Sequence, residues 1–428
     1  MLTRWLLPLY RLAVLVAIAW ILREHAIRVR FEGFLPVTID EVRTILPSAT
    51  ALHPDSGERA GADVIDAAGR KIGYVLQTAP VSDAVVGYRG WTNSLIAFDS
   101  ALHVLGVRIR SSQDTDEHVG DVKGDPYFMK TWNGKPWDTV AGETPADAGI
   151  EGVSGATMTS LAMAEGIMRR LRAADSALTV PPQQWRIAGR DIGLVIFTIA
   201  AMWLAFRGTH GRRWLRVTFQ IIAIGYVGFW NGDLLAQSLM VGWAQNGVPY
   251  RLAPGVVLLL AAALIIPWTT GKPLYCQHIC PHGHAQEFLA RALPTRWRLR
   301  IPKSVSAGLR WVPPLTIVCI LAITVLALPA DLAGVEPFDA YLLKSAGWAT
   351  LTIAVVGLIA SLFVPMAYCH YGCPTGALLN FVRRHGMNDR FGRREIAALL
   401  LVFAAAFLSW KSAAMRAWLE SSASDWIL

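Results

Sequence analysis

The sequence predicts a membrane protein in two parts. An α+β domain is inserted after an N-terminal membrane anchor, and an all-α polytopic membrane domain follows, with about seven transmembrane helices in total. Three observations predict this. Of 428 residues, 54% are hydrophobic and only 17% charged, whereas a soluble domain carries about a quarter charged residues. The shortage is local: residues 31–185 have ordinary polar content, while 186–428 alternate apolar runs with Arg-rich patches. All five cysteines, Cys276, Cys280, Cys319, Cys369 and Cys373, lie in that second part. This argues against a secreted disulfide framework. The expected domains are therefore an anchor at 1–30, an outer domain at 31–185 and a polytopic domain at 186–428.

A spanning helix needs about 20 mostly apolar residues. The candidates are 5–22, 192–206, 215–233, 255–268, 312–328, 348–365 and 396–410. After the first of these comes Trp20-Ile21-Leu22-Arg23-Glu24 rather than a small-x-small cleavage site, so it is expected to be an uncleaved anchor. Lys and Arg mark the cytoplasmic ends of spans. They gather in three stretches: Arg207, Arg212, Arg213 and Arg216; then Lys272 through Arg310; then Arg383, Arg384, Arg390, Arg393 and Arg394. The stretch from Asp331 to Lys344 is poor in Arg. Seven spans put the three basic stretches on the inner face and residues 31–185 in the periplasm of a Gram-negative cell. The formal net charge of +9 is thus loop charge, and nucleic acid is excluded as a partner because no basic face is interleaved with aromatics.

Within the outer domain, residues 65–110 read as strands. Lys71–Leu76 follows the turn signal Ala67-Ala68-Gly69-Arg70, and 95–99 with 102–109 forms another pair. A Gly-rich loop at 141–155 then leads into a helix over 159–172, with Arg at its close. At the junction stands Glu151-Gly152-Val153-Ser154-Gly155-Ala156-Thr157-Met158-Thr159-Ser160. Hydroxyl residues there can simply cap the helix, or helix-start N–H groups beside small residues can receive a phosphate.

Ser-Gly-Ala-Thr before a helix resembles the flavinylation motif of the FMN-binding domains of RnfG, NqrC and the NosR/NirI group. The resemblance covers most of 65–172, including Gly87-Tyr88-Arg89-Gly90. It implies covalent FMN, joined through its phosphate to Thr157 by a dedicated flavin transferase. Ser154, Gly155 and Ala156 would shape the turn, and Thr159 and Ser160 would lie near the phosphate. Glu151 stands where many members carry Asp. Trp91, Tyr127, Phe128 and Trp132 are aromatic candidates for the flavin ring or for the core.

Tyr275-Cys276-Gln277-His278-Ile279-Cys280-Pro281-His282-Gly283 is echoed by Tyr368-Cys369-His370-Tyr371-Gly372-Cys373-Pro374-Thr375-Gly376. This points to an internal repeat of span plus metal loop. Cysteines at i and i+4 share a helix face, and the Pro that follows should turn the chain back. Two such pairs offer four soft thiolates, suited to an iron–sulfur cluster or to zinc, with zinc ribbons preferring a two-residue gap. Around them, His278 and His370 are candidates to tune or ligate a centre, and His282 and His284 are expected in solvated loops. The ten histidines lie mostly in loops or the outer domain, which argues against a membrane di-haem site. Asn231 and Asp233 near a span end are a candidate quinone site.

The paired motif is similar to that of NosR, NapH and the PceC-like proteins of organohalide respiration, over about residues 190–410. The sequence as it stands has no ferredoxin-like tail with Cys-x-x-Cys-x-x-Cys clusters, so the layout is expected to be closer to the PceC-like form. The resemblance implies an electron-transfer component of a respiratory system rather than a stand-alone catalyst, lodged in the inner membrane. Electrons would pass between an inner-face iron–sulfur centre at Cys276, Cys280, Cys369 and Cys373, or the quinone pool or a cytoplasmic donor, and periplasmic FMN. A periplasmic reductase or its maturation factor is the implied partner. The alternative is a redox-sensing regulator or a maturation factor for a periplasmic metalloenzyme.

Overall fold

Five strands run in sequence order across one antiparallel sheet; short connections, which suit antiparallel pairs, join all neighbours except the third and fourth, linked by the longer stretch 78–91. In this computed structural model the residues described are 3–32, 36–55, 57, 59–175, 185–208, 213–328, 330–342, 346–385 and 389–425. Arg212 and Lys344 of the charge pattern lie outside them. The strands are β1 (Ala51–Pro54), β2 (Ala62–Ile65), β3 (Lys71–Gln77), β4 (Thr92–Asp99) and β5 (Val104–Ser112). β1 and β2 lie upstream of the stretch that reads as strand. β1 is short and its last two residues are exposed, so it leaves little apolar alternation to detect.

The turn before β3 works through Asp66, whose Oδ1 accepts the Ala68 and Arg70 N–H groups while Gly69 takes a φ of +75°. Asp99 does the same between β4 and β5, accepting from Ala101 and His103. Leu102 therefore sits in the turn at φ +63°, and the strand expected from 102 starts at Val104. Along β4 successive residues face opposite sides. Ile96 and Phe98 join the core that holds Trp132, Trp137 and the helix Thr157–Ala173, whereas Leu95 and Ala97 join a second core with Val42 and Val64. A sheet covered on both faces reads as a continuous apolar run, as Leu95-Ile96-Ala97-Phe98 does. Phe128 and Trp132 are core residues here, and Tyr127 is exposed.

The chain divides into two units: Arg28–Arg186 together with Asn246–Ala253, and the remaining helical part. The short segment Asn246–Ala253 belongs to the sheet-bearing unit, where Leu252 enters its core and Asn246 Nδ2 donates to the Arg89 carbonyl. Nothing in its sequence marks this.

In the helical unit, four helices among the described residues are long and apolar enough to cross a membrane: Trp5–Val29, Gly189–Arg207, Lys303–Leu326 and Arg393–Arg416. This corrects the expected seven. The apolar helices Pro254–Thr270 and Trp348–Phe363 have 17 and 16 residues, about 25 Å against a hydrocarbon core of about 30 Å. The stretch 215–233 is not one α-helix: Arg213–Ile222 gives way to a π-helical run, Ala223–Asn231, closed by Gly232 at φ +73°. Apolar residues are exposed in a stripe on the second long helix, at Ile192, Ile196, Ile199, Trp203 and Phe206. Such a face at helical spacing suits lipid.

A buried cation anchors the first helix. Arg11 is fully buried, and its guanidinium donates to both carboxylate oxygens of Asp389 at 2.8 and 2.6 Å, to Glu395 Oε1 at 2.7 Å and to the Arg383 carbonyl at 3.0 Å. Although burial works against it, the bond from Arg11 holds the Asp389 carboxyl below its ordinary range. Removing one member of a buried ion set strands the others. Arg11→Ala should therefore cost about 3–5 kcal/mol in denaturant unfolding of the detergent-solubilised chain. Combining Arg11→Met with the neutral replacements Asp389→Asn and Glu395→Gln should restore most of it. A loss below about 1 kcal/mol for Arg11→Ala would contradict the network.

Candidate functional site

The Ser-Gly-Ala-Thr segment is held by hydroxyl groups pointing inward. Gly152 and Gly155 adopt φ of +99° and +92°, which only glycine takes without strain. The residue before the helix is Ala156, which offers no side-chain acceptor to the first turn. The capping role that a Ser or Thr could play is thus unfilled, and the first-turn N–H groups have no intrahelical partner. Thr157 opens the helix, half-buried, with its Oγ1 donating to the Val153 carbonyl at 3.2 Å. Ser154 is exposed, Gly155 half-buried and Ala156 buried. Thr159 and Ser160 are fully buried. Ser160 Oγ accepts from Val153 N–H and donates to the Ala156 carbonyl, and Thr159 Oγ1 donates to Asp114 Oδ2 at 2.7 Å.

Asp114 is a residue that the sequence reading passed over. Its carboxylate also accepts the Tyr88 and Arg89 N–H groups at 3.2 and 2.6 Å, so one side chain ties the Gly87–Gly90 turn to the start of the motif helix. A Cβ at Gly87 would stand 2.4 Å from Asp114 Oδ2 and 3.1 Å from Thr159 Cα, which explains the glycine there. Tyr88 stacks on His118 with ring centroids 4.6 Å apart. Arg186 completes the frame, donating to the carbonyls of Ile150 and Glu151 just ahead of the motif.

Burial raises the Asp114 carboxyl above its ordinary value, with the His118 charge and the Thr159 and backbone bonds pulling the other way. A carboxyl raised on folding contributes stability that is fully present below its ordinary value and lost as pH rises through the raised one. The unfolding midpoint of the full chain should therefore fall as pH rises across that window. Asp114→Asn, which mimics the protonated form, should flatten the slope. An unchanged slope in Asp114→Asn would assign the effect elsewhere.

The cysteine motifs depart from a single helical face. Cys276 lies in the short helix Leu274–His278, while Cys280 is the cap of the next, Pro281–Leu289. The second copy repeats this, with Cys369 in Ala367–Tyr371 and Cys373 capping Pro374–Val382. Pro begins a helix here instead of turning the chain back, because its missing N–H is no loss at the first helical position. Each capping sulfur accepts the N–H of the glycine three residues on: Cys280 from Gly283 at 3.5 Å, Cys373 from Gly376 at 3.1 Å. A Cβ at Gly376 would sit 3.3 Å from the Cys373 sulfur, and one at Gly283 only 2.9 Å from the Cys276 carbonyl. The motif glycine is thereby explained.

All four cysteines line one cavity of about 730 Å³, with Phe338, His370 and Arg383 among its walls. Among the described residues no three His, Cys, Asp or Glu side chains converge tightly enough for a single metal ion. Four soft thiols lining one cavity are a donor set of the kind that holds an iron–sulfur cluster or zinc. Burial, with the charge of neighbouring sulfurs, pushes Cys276, Cys280 and Cys369 up to about 12. His282 and His284 are buried and not solvated, His282 beside the Tyr341 hydroxyl at 3.2 Å. His370 is exposed. Cys319 is exposed on the separate helix Val312–Leu326. Asn231 and Asp233 are buried. The buried Gln286 bridges the two motifs; a lone Gln between His284 and Glu287 in a stretch of mixed polarity gives no pattern to find.

Residues 87–172 match the FMN-binding domain family, and residues 252–300 and 346–397 match the 4Fe-4S binding domain family. The second match brackets both cysteine motifs. Regulatory protein NosR of Pseudomonas aeruginosa is 31% identical over 147 residues, 32% of this chain and 20% of the relative. Protein NirI of Paracoccus denitrificans is 29% identical over 191 residues, 38% of this chain and 28% of the relative. This chain is homologous to NosR and NirI. It spans between a fifth and under a third of the length of those relatives, as it does of NosR from Stutzerimonas stutzeri, 29% identical over 149 residues and 20% of that protein. No solved structure matches it. The homologue is therefore a flavin- and iron–sulfur-associated protein with several membrane-length helices.

Proposed function

We propose that the chain is an inner-membrane flavoprotein whose redox state regulates, or supports maturation of, a periplasmic reductase system. The observation that carries this is the joining of an FMN-binding domain and a 4Fe-4S binding domain in one homologue of proteins named as regulatory. FMN and an iron–sulfur cluster supply one-electron chemistry when bound. Thr157 presents the half-buried hydroxyl for a phosphoester to FMN, formed by a flavin transferase. Ser154, Gly155 and Ala156 leave room beside it, and Thr159 and Ser160 hold the helix start rigid from within. Cys276, Cys280, Cys369 and Cys373 hold the cluster, in the paired arrangement also resembling PceC-like proteins. The FMN domain lies in the periplasm and the cysteine motifs toward the cytoplasm, as the Arg-rich stretches beside the motifs suggest.

A second reading, in which the chain passes electrons steadily across the membrane from quinol or a cytoplasmic donor to the reductase, is favoured by the same joining of two redox domains. Purified, cofactor-loaded protein in vesicles distinguishes them. With quinol supplied and the flavin spectrum followed, a regulator is reduced once and stops. Sustained turnover of an external acceptor would replace regulation with transfer. A chain that holds neither flavin nor iron with sulfide defeats both.

A further inference from the structure

The two cysteine motifs are repeats, yet one side chain breaks their symmetry. Gln286 stands six residues after Cys280, and the matching position after Cys373 is Leu379. Gln286 is fully buried. Its Nε2 donates to the Cys369 sulfur at 3.1 Å and to the His282 carbonyl at 3.3 Å. Its Oε1 accepts from Ser361 Oγ at 2.9 Å, Tyr368 N–H at 3.1 Å and Cys369 N–H at 3.4 Å. With three donors on the oxygen and a carbonyl on the nitrogen, the amide orientation is set by its partners. The helix of the first motif thereby grips the backbone and the sulfur of the second. Leu379 lines the cysteine cavity but has nothing to donate to Cys276, so the grip is not returned.

We propose that Gln286 is a positioning and tuning residue, clasping the second cysteine pair to the first and making the four-sulfur site electronically unequal: Cys280 and Cys373 each accept their own motif's glycine N–H, while Cys369 accepts a side-chain amide that Leu379 cannot return to Cys276. This rests on the cluster assignment above. An N–H donor to a ligand sulfur favours the more electron-rich state of the centre and so raises its potential.

The test uses the full chain in detergent, assembled with iron and sulfide, as wild type, Gln286→Leu and Leu379→Gln. Midpoint potential is read by a redox titration followed by electron paramagnetic resonance, and backbone exchange at residues 368–369 by mass spectrometry. Gln286→Leu, which restores the repeat's symmetry, should shift the potential negative. It should also speed exchange of those two amides roughly tenfold, as their acceptor is lost. Leu379→Gln should shift the potential positive and leave that exchange unchanged. If Gln286→Leu fails to retain iron, the sign of the Leu379→Gln shift decides the tuning claim. Unmoved potentials at full iron and sulfide content, or unmoved exchange, overturn the proposal. Wild type without iron and sulfide would instead overturn the cluster reading, and exchange in the metal-free chain would still decide the clasp.

Discussion

Thr157→Ala should carry no flavin through denaturation, whereas the wild-type chain made alongside a periplasmic flavin transferase should gain the mass of one FMN less one water. The expectation is all-or-none because the three hydroxyls on the motif helix differ greatly in freedom, while the fourth, on Ser154, lies exposed in the loop ahead of the helix start. Those of Thr159 and Ser160 are fully buried and occupied by Asp114 and by the Val153–Ala156 backbone. Thr157 alone of the three is half-buried, tied by one 3.2 Å bond to a carbonyl, and it sits at the helix start, where free N–H groups favour a phosphate. Thr159→Val should therefore keep the flavin while lowering the unfolding midpoint, since the buried Asp114 loses a donor. Intact-mass measurement on denatured protein reads both. Flavin mass persisting on Thr157→Ala, or absent from wild type while a known target in the same cells is modified, would sink the covalent assignment.

What could be read ahead of the structure was whatever is written in local pattern. β3, β4 and the motif helix were legible because turn residues and apolar runs announce them, and the cysteine pairs because a repeat of nine residues does not arise from composition. Contacts between distant segments were not legible. Asp114 is an ordinary Asp until the fold brings it to Thr159, 45 residues on. Arg11 lies inside the predicted span 5–22, and only the fold shows it buried against Asp389 and Glu395. Span counting failed for a related reason. Hydropathy records that 215–233 is apolar but not that its second half winds as a π-helix. The i,i+4 argument for the cysteines failed because Pro was read only as a helix stop, although it is equally a helix start.

That last point shapes the other large effect expected. With Cys280 and Cys373 at helix caps and Cys276 and Cys369 one short helix earlier, the four sulfurs come from two helix junctions around one cavity. None can substitute for another without rebuilding a helix junction. Replacing any one by Ser should then cost most of the bound iron and acid-labile sulfide, and replacing both cysteines of one motif should leave under about a tenth of either. Cys319→Ser, on its own exposed helix position, should leave both unchanged and serves as the control for handling losses. Zinc without sulfide in the wild-type chain would point to a different donor geometry. A uniform, partial loss across all five variants would show that the cysteines contribute to folding and not to a shared centre. The cavity favours the first outcome, because its walls draw on both repeats and neither motif encloses a cluster alone.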